Sequence, residues 1–519
     1  MLLPRGRSAS AWSLVGLTVL GAGLRFFHLT HQSLWVDEAF SIKYARIFEA
    51  MSPLQFIEDL HGPLHSLLLH AWSKLFGTGE LALRSMEAVI STLTIPAFAW
   101  SLIPLRRTRT LWIATALLAL NPFHVWYAQE IRNYALFMLM GVLASGLFLR
   151  ISVGETRLGA ISRFAGYGVI NFLAMLSNLA HFFTMIVHGA VQLFRGRGGR
   201  PLWRGFALSW ILTLLLLGPW IVRFWDRHVE VSGALEPAVV PSGEKLRGET
   251  SAPLEGIPYS YFVFSVGYSY GPSLRELHIL SQEMSLAVLK PHVAPILYAG
   301  LAFGVVACLG AARLFRAGLV GRYFLLLAIL PVLLTYGISL RNLKVFNPRY
   351  AAAAMPAYLV VLAEGLNGNR RRSIVLGSAI LVPTMVSLAQ LAFDPAYAKE
   401  DARSAADYLK SHARAGDLIF VIGTDEPLER YYWRGIRQNP DGITKGDVGY
   451  WGDKTEVEKR GLFEELVADH GQVYVLLLRD EFVDPEERWR KYLLETHPPQ
   501  ERIEYPGVEI WTFAGRSAR

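Results

Sequence analysis

Apolar residues gather in long runs along this chain, separated by arginine-rich turns on one side and aromatic-polar segments on the other. Runs of that length predict membrane helices, because a span needs about 20 mostly apolar residues. Eleven stretches qualify, near 11–29, 81–103, 110–127, 134–150, 164–180, 181–194, 204–224, 292–315, 320–340, 350–367 and 373–393. Only Ser177-Asn178 and His181 divide the fifth from the sixth, and merging those two would invert everything downstream. Short loops rich in Lys and Arg stay on the cytoplasmic side. With eleven spans and a cytoplasmic N-terminus, Arg5 and Arg7, Arg106 to Arg109, Arg150 to Arg163, Arg195 to Arg204, Arg313 to Arg322 and Arg370 to Arg372 all fall inside.

The segments left outside carry the polar chemistry. They are 30–80, the NPFHVWYAQEIRN stretch from Asn121 to Asn133, the Ser177–His181 turn, a long loop at 225–291, RNLKVFNPRY from Arg341 to Tyr350, and the tail after Phe393. In the first of these, Ser33 or Asp37 can cap a short helix to about Ala50, and Pro63 suits the first turn of a second helix through Trp72. Both are amphipathic and too short or polar to span, so they are expected to lie in the interface. The 225–291 loop, with its Gly, Pro and Ser and the aromatic PYSYFVFSVGYSYGP, reads as an irregular segment able to serve as a lid. From Asp394 the pattern changes to that of a soluble α/β domain: helices at DARSAADYLKSHA and LFEELVADHG, buried strands at GDLIFVIG and QVYVLLL, and a third strand at GVEIWTF. The chain therefore divides into a membrane domain over 1–393 and an outer soluble domain over 394–519.

Composition agrees with this reading: 52% of the 519 residues are hydrophobic and 18% are charged, as in polytopic membrane proteins. The net charge of +8 sits at the ends of apolar runs, which is an orientation signal and not a nucleic-acid footprint. The first run contains Arg25 and His28 and lacks a small-residue cleavage site, so it reads as a retained span. Cys308 stands alone in an apolar run, which excludes an internal disulfide.

Two adjacent carboxylates, Asp37 and Glu38, follow the first span in SLWVDEAFS. Acids are favoured in a helix's first turn, but one can also serve as a general base. In YAQEIRNY, Gln129, Glu130 and Arg132 lie at the outer end of a span, and a guanidinium there offers a planar fork to a phosphate. Lys344 and Arg349 break the inside bias of basic residues, which an anionic lipid headgroup accounts for. His61 and His65 are four apart, but Gly62 and Pro63 place His61 before the helix begins, so hydrogen bonding to acids or substrate is expected over a metal site. His70 and His188 read as core histidines. The tail shows no phosphate loop, metal spacing or nucleophile elbow, which suits a supporting or acceptor-docking role.

With these residues together, the chain resembles the GT-C superfamily of integral-membrane glycosyltransferases, in the branch of protein O-mannosyltransferases and lipid A aminoarabinose transferases. The likeness rests on Ser33 to Ser41, on His61-Gly62-Pro63-Leu64, on Tyr127 to Tyr134, and on Pro348-Arg349-Tyr350 with Pro356-Ala357. Gly62 departs from the pattern, which usually has proline there and so a tighter turn. The resemblance implies inverting transfer of a sugar from a polyprenyl-phosphate donor at the outer face of the cytoplasmic membrane. Asp37 would act as base beside Glu38, Arg132, Lys344 and Arg349 would hold the phosphate, and His61, His65, Gln129, Glu130, Tyr134 and Tyr350 would support the substrates. Asp37, Glu130 and His61 are the residues able to hold a divalent metal, which the sequence does not require. A transporter or flippase for lipid-linked sugars is the alternative; it predicts repeat symmetry and polar residues near the midplane, whereas the polar residues in the sequence gather at one interface.

Overall fold

The computed structural model describes residues 7–49, 62–154, 159–195, 200–235, 255–274, 276–277, 286–340, 346–436, 444–447, 454–480, 484 and 486–515. It divides into two compact units. One comprises Met1–Leu29, Phe48–Arg227 and Lys245–Phe393; the other comprises Thr30–Ile47, His228–Glu244 and Asp394–Arg519.

The helices in chain order begin with α1 (Arg7–Phe26), α2 (Val36–Ala45), α3 (Pro63–Phe76), α4 (Glu80–Leu102), α5 (Thr108–Leu120) and α6 (Pro122–Ala128). Then come α7 (Tyr134–Val153), α8 (Ala160–Ser177), α9 (His181–Phe194), α10 (Arg200–Leu235) and α11 (Gly256–Val266). The last of the first unit are α12 (Val293–Phe315), α13 (Gly318–Ser339), α14 (Met355–Leu366) and α15 (Arg370–Phe393). Helix occupies all eleven of the expected segments, yet the count of qualifying spans is lower. Among the described residues six helices are long and apolar enough to cross a membrane, and seven if α5 and α6, bent by 51° at a break, form one span. Much of the difference is physical: Ala11–Phe26 of α1 and the whole of α9 are shorter apolar helices, and the 350–367 run divides into a 3₁₀ turn at Pro348–Ala354 and the 12-residue α14. The protein is nonetheless a mostly helical, multi-pass membrane protein.

α8 and α9 are separate helices. Asn178 between them is extended, and its side chain accepts the Ala180 N–H at 2.9 Å, which closes the turn without continuing the helix. The PYSYFVFSV stretch, expected to be irregular, is the helix α11. Pro258 sits in its first turn, where no N–H is needed, and Gly267 at φ 71 ends it. Val263, Phe264 and Val266 are fully buried in the main apolar core, so this segment is core and not lid. Residues 236–254 of the same loop lie outside the described residues.

α12 and α14 meet backbone to backbone. A Cβ on Gly310 would lie 1.8 Å from the Val361 carbonyl, and one on Gly365 would lie 1.9 Å from the Val306 carbonyl. Small residues permit such approach between membrane helices, where close packing replaces the hydrophobic drive available in water.

The second unit holds α16 (Ala402–His412), α17 (Glu456–Asp469), α18 (Arg488–Thr496) and strands β1 (Leu418–Gly423), β2 (Thr444–Asp447), β3 (Gln472–Leu478), β4 (Glu501–Tyr505) and β5 (Val508–Ala514). The sheet order is β2-β1-β3-β5-β4. β1 pairs in parallel with β2 and β3, while β5 pairs antiparallel with β3 and β4. All three expected strands are present; β2 and β4 are additions, too short or too polar to stand out. Alternation places Ile419, Val421, Tyr474, Leu476 and Ile510 against α16 on one face. Leu418, Phe420, Val475, Leu477 and Trp511 face α17 and α18 on the other.

Gly310→Ala should lower stability by about 1–3 kcal/mol, the usual cost of overpacking, whereas Gly300→Ala on the same helix, with nothing within 4 Å of its Cβ position, should be neutral or stabilising by up to about 1 kcal/mol. Thermal unfolding in detergent of both variants is the measurement.

Candidate functional site

The acid pair belongs to the second unit, where the chain around it is tied to the tail. The Ser33 hydroxyl donates to the Glu400 carbonyl (2.6 Å) and accepts the Ala402 N–H (3.1 Å). The Leu34 N–H donates to the Tyr432 hydroxyl at 2.6 Å, and Arg403 donates to the carbonyls of Thr30 and Gln32. Trp35 is the extended N-cap of α2, and the ammonium of Lys399 and the guanidinium of Arg479 lie over its ring, at 5.4 and 5.6 Å from the centroid. These two cations were not singled out in the sequence, because nothing in their local pattern points at a motif more than 350 residues away.

The environment distinguishes the two acids. Glu38 is fully buried, accepts the Trp35 N–H at 3.3 Å as the third residue of α2, and faces Lys399 Nζ at 3.8 Å. Its carboxylate caps the helix and lies opposite a cation. Asp37, one position earlier, is half-buried and takes no part in the capping box.

The basic candidates belong to the first unit. Asn121 stops α5; its side chain accepts the His124 N–H at 2.9 Å and donates to the Phe264 carbonyl at 2.8 Å, and Pro122 starts α6. The turn that follows α6 carries the motif. Gln129 donates to the carbonyls of Leu24, Arg25 and Phe27, so its amide nitrogen closes the C-terminus of α1. Glu130, nearly buried, accepts from the Trp126 indole at 2.9 Å. Asn133 donates to the Ser177 carbonyl at 2.7 Å. Arg132, 9% exposed, approaches the Tyr134 ring at 6.0 Å, and Arg349 approaches the same ring at 5.6 Å and that of Tyr350 at 5.4 Å. Arg349 is presented by a 3₁₀ turn that Asn347 caps, its side chain accepting the Arg349 N–H at 3.1 Å. Two guanidiniums from segments more than 200 residues apart thus share one buried tyrosine. Lys344 lies outside the described residues.

Tyrosines line the same region. The Tyr127 and Tyr268 hydroxyls are 3.0 Å apart, and the Tyr127 and Tyr134 rings are 4.8 Å apart. Burial pushes the Tyr268 hydroxyl well above its ordinary range; Arg349 pulls it down and Glu130 raises it. Burial also pushes Tyr261 up to about 12, and its hydroxyl donates to the Ala328 carbonyl. These phenols stay protonated hydrogen-bond donors at any physiological pH.

α3 opens at Pro63 after Gly62, whose φ of 118 only glycine adopts easily. A Cβ there would lie 2.3 Å from the Ser177 carbonyl and 3.0 Å from Asn133 Nδ2. The glycine that departs from the family pattern is therefore demanded by close packing at this position. Two residues into α3, His65 is buried and its Nε2 lies 2.7 Å from Glu87 Oε1. Glu87, fully buried on α4, carried no signal in an apolar run. His61 lies outside the described residues. No group of three or more His, Cys, Asp or Glu is placed to hold a metal among the described residues.

Two buried polar networks escaped sequence reading. The Arg25 guanidinium, with no exposure, donates to Ser91 Oγ, the carbonyls of Gly21, Ala119 and Leu118, and His124 Nδ1, at 2.8 to 3.2 Å. His188, a core histidine as expected, bonds Tyr167 at 2.7 Å through Nδ1 and Tyr323 at 3.2 Å through Nε2, and stacks on Phe148. That string places polar groups inside the helical unit and not at one interface alone. His70 is half-buried and not in the core.

No protein-family profile and no curated protein matches this sequence. Among solved structures, the fold is similar to ArnT from Cupriavidus metallidurans in the apo state: TM-score 0.55, 13% identity, covering 98% of this chain and 99% of that one. It is also similar to the archaeal oligosaccharyltransferase AglB from Archaeoglobus fulgidus in complex with an inhibitory peptide and a dolichol-phosphate: TM-score 0.52, 13% identity, covering 90% of this chain and 69% of that one. A second structure of the Archaeoglobus fulgidus enzyme, with zinc and sulfate, gives TM-score 0.51 at 14% identity, with coverage of 89% and 67%. The likeness to ArnT runs over nearly the full length, and the chain has an ArnT-like fold.

Lys399→Ala should cost about 1–3 kcal/mol, because it removes an ammonium that faces the buried Glu38 carboxylate at 3.8 Å. Adding Glu38→Gln should restore part of that loss, and a double-mutant cycle by thermal unfolding measures the coupling.

Proposed function

We propose that this protein is an inverting glycosyltransferase that moves a sugar from a polyprenyl-phosphate donor to a lipid, glycan or protein acceptor at the outer face of the cytoplasmic membrane. In this reading the N-terminus is cytoplasmic and residues 394–519 form an outer domain. The observation that carries it is the pair of guanidiniums, Arg132 and Arg349, at one buried tyrosine ring. A guanidinium offers a planar fork of donors that matches a phosphate, and two of them approach one ring here. That the AglB structure of the same fold holds a dolichol-phosphate supports a lipid phosphate as that anion.

The chemistry follows from these groups. The acceptor hydroxyl or amine attacks the anomeric carbon from the face opposite the phosphate, giving its proton to the Asp37 carboxylate. The bond from the anomeric carbon to the phosphate oxygen breaks through an oxocarbenium-like state. The electron pair stays on the lipid phosphate, whose growing charge Arg132 and Arg349, with Lys344, stabilise. A phosphate needs no general acid to leave, so one base and a cationic clamp suffice. Glu38 holds Asp37's helix in place, a supporting role and not a second base. The flippase reading draws on the buried Tyr167–His188–Tyr323 string, since polar groups inside a membrane bundle can mark a path.

Purified protein incubated with a panel of polyprenyl-phosphate sugars should release free polyprenyl phosphate, and Asp37→Asn should abolish the release; unchanged release in that variant removes Asp37 as base. Lipid movement across vesicles without sugar transfer would favour the flippase. Arg132→Ala should weaken donor binding by about 1–3 kcal/mol, the scale of a charge-assisted hydrogen bond. A reporter fused after Phe393 should read as extracytoplasmic.

A further inference from the structure

We propose that His65 and Glu87 form a sugar-reading pair: Glu87 fixes the imidazole through Nε2, and His65 Nδ1 accepts a hydrogen bond from a hydroxyl of the transferred sugar. The inference rests on the transferase reading and names a group that recognises its donor.

Both side chains are taken out of solvent, His65 at 3% exposure and Glu87 at none, with 2.7 Å between Nε2 and Oε1. A carboxylate at that distance favours the tautomer whose proton sits on Nε2, directed at the acid. The lone pair is then on Nδ1, and the ring cannot turn without breaking the bond to Glu87. Among the described residues the imidazole's hydrogen bonding is through Nε2 alone. A packing histidine of this same unit looks different: both nitrogens of His188 are engaged by tyrosine hydroxyls. His65 instead has one nitrogen fixed by a buried acid and the other available as an oriented acceptor.

Its place in the fold agrees. α3 starts at Pro63, which has no N–H to compete for a ligand. The preceding Gly62 packs so closely on the Ser177 carbonyl and Asn133 Nδ2 that no Cβ fits. Asn133 directly follows Arg132, and Tyr134, which both clamp arginines approach, directly follows Asn133. The first turn of α3 therefore abuts the turn that carries the phosphate-binding arginine. A donor sugar is bonded directly to its phosphate, so a fixed acceptor beside the clamp meets a sugar hydroxyl and not the lipid tail. A hydroxyl donates to Nδ1; a phosphate, having only acceptor oxygens when ionised, cannot.

The test uses full-length protein in lipid nanodiscs, labelled with 15N-histidine, with ring nitrogens read from long-range proton–nitrogen spectra. The His65 signals are identified by their loss in His65→Asn and independently by their shift in Glu87→Gln. Before ligand is added, His65 should appear as the tautomer protonated on Nε2. A polyprenyl-phosphate sugar should move its Nδ1 signal, and polyprenyl phosphate without a sugar should leave it in place. In the release assay, one donor in a series of monodeoxy sugars should lose about tenfold or more in kcat/KM against wild type, as when a site is built to pair a hydroxyl. His65→Ala should erase that difference, while Glu87→Gln, which keeps an oxygen acceptor for Nε2, should retain part of it. An Nδ1 signal unmoved by the sugar-bearing lipid, one moved equally by the bare lipid phosphate, or undiminished discrimination in His65→Ala would overturn the proposal. If no donor releases polyprenyl phosphate, the transferase reading fails by itself, and the spectra still decide whether His65 meets a sugar.

Discussion

The first unit depends on how it satisfies the backbone where its helices break. The last carbonyls of α5 lose their helical partners at the 51° bend before Pro122, and in a poorly hydrated bundle each unsatisfied group is costly. Arg25 resolves this from α1. Its five N–H groups find five acceptors, the carbonyls of Leu118 and Ala119 at the end of α5, that of Gly21 on its own helix, Ser91 on α4 and His124 on α6. A guanidinium can only donate, so His124 Nδ1 is an acceptor and its proton lies on Nε2. One side chain thereby fixes four helices around the bend that leads into the motif turn. Gln129 returns the favour by closing the end of α1 with three carbonyl contacts.

A similar economy governs the acid motif. An Asp-Glu pair with both members buried would carry two desolvation penalties. Here Glu38 is compensated by the helix N-terminus and Lys399, while Asp37 keeps partial exposure. The pair divides into one buried, compensated carboxylate and one that keeps partial exposure, which adjacency in the sequence cannot reveal. The segment's membership in the unit of the tail also gives the C-terminal domain a definite role. Through Glu400, Ala402, Arg403 and Tyr432 it anchors the strand that leads into α2.

Helical runs, the three main strands and the motif turns were legible because each is set by periodicity or by a few neighbouring residues. Span number was not, since a 12-residue buried helix after a 3₁₀ turn has the same apolar signature as part of a span. α11 was missed for the opposite reason: its Gly, Pro and Ser resemble loop punctuation, but Pro258 lies where a helix tolerates it and the aromatics are pinned by burial. Of the site, Arg132 stood out for its guanidinium in the polar YAQEIRNY segment, and Arg349 for breaking the expected inside bias of basic residues. Their shared tyrosine, and the Glu87 partner of His65, depend on contacts between distant segments that no local pattern encodes.

Gln129 shows where motif reading and physics part. It sits beside Glu130 and Arg132 in a segment dense with polar groups, yet its amide nitrogen is spent on the carbonyls that end α1. Gly62 makes the converse point: a departure from the expected motif is the residue the local backbone requires. A polar motif in a membrane enzyme must first pay the hydrogen-bond debts of its own irregular backbone. Asn133 and Glu38 do the same as Gln129, through the Ser177 carbonyl and the Trp35 N–H.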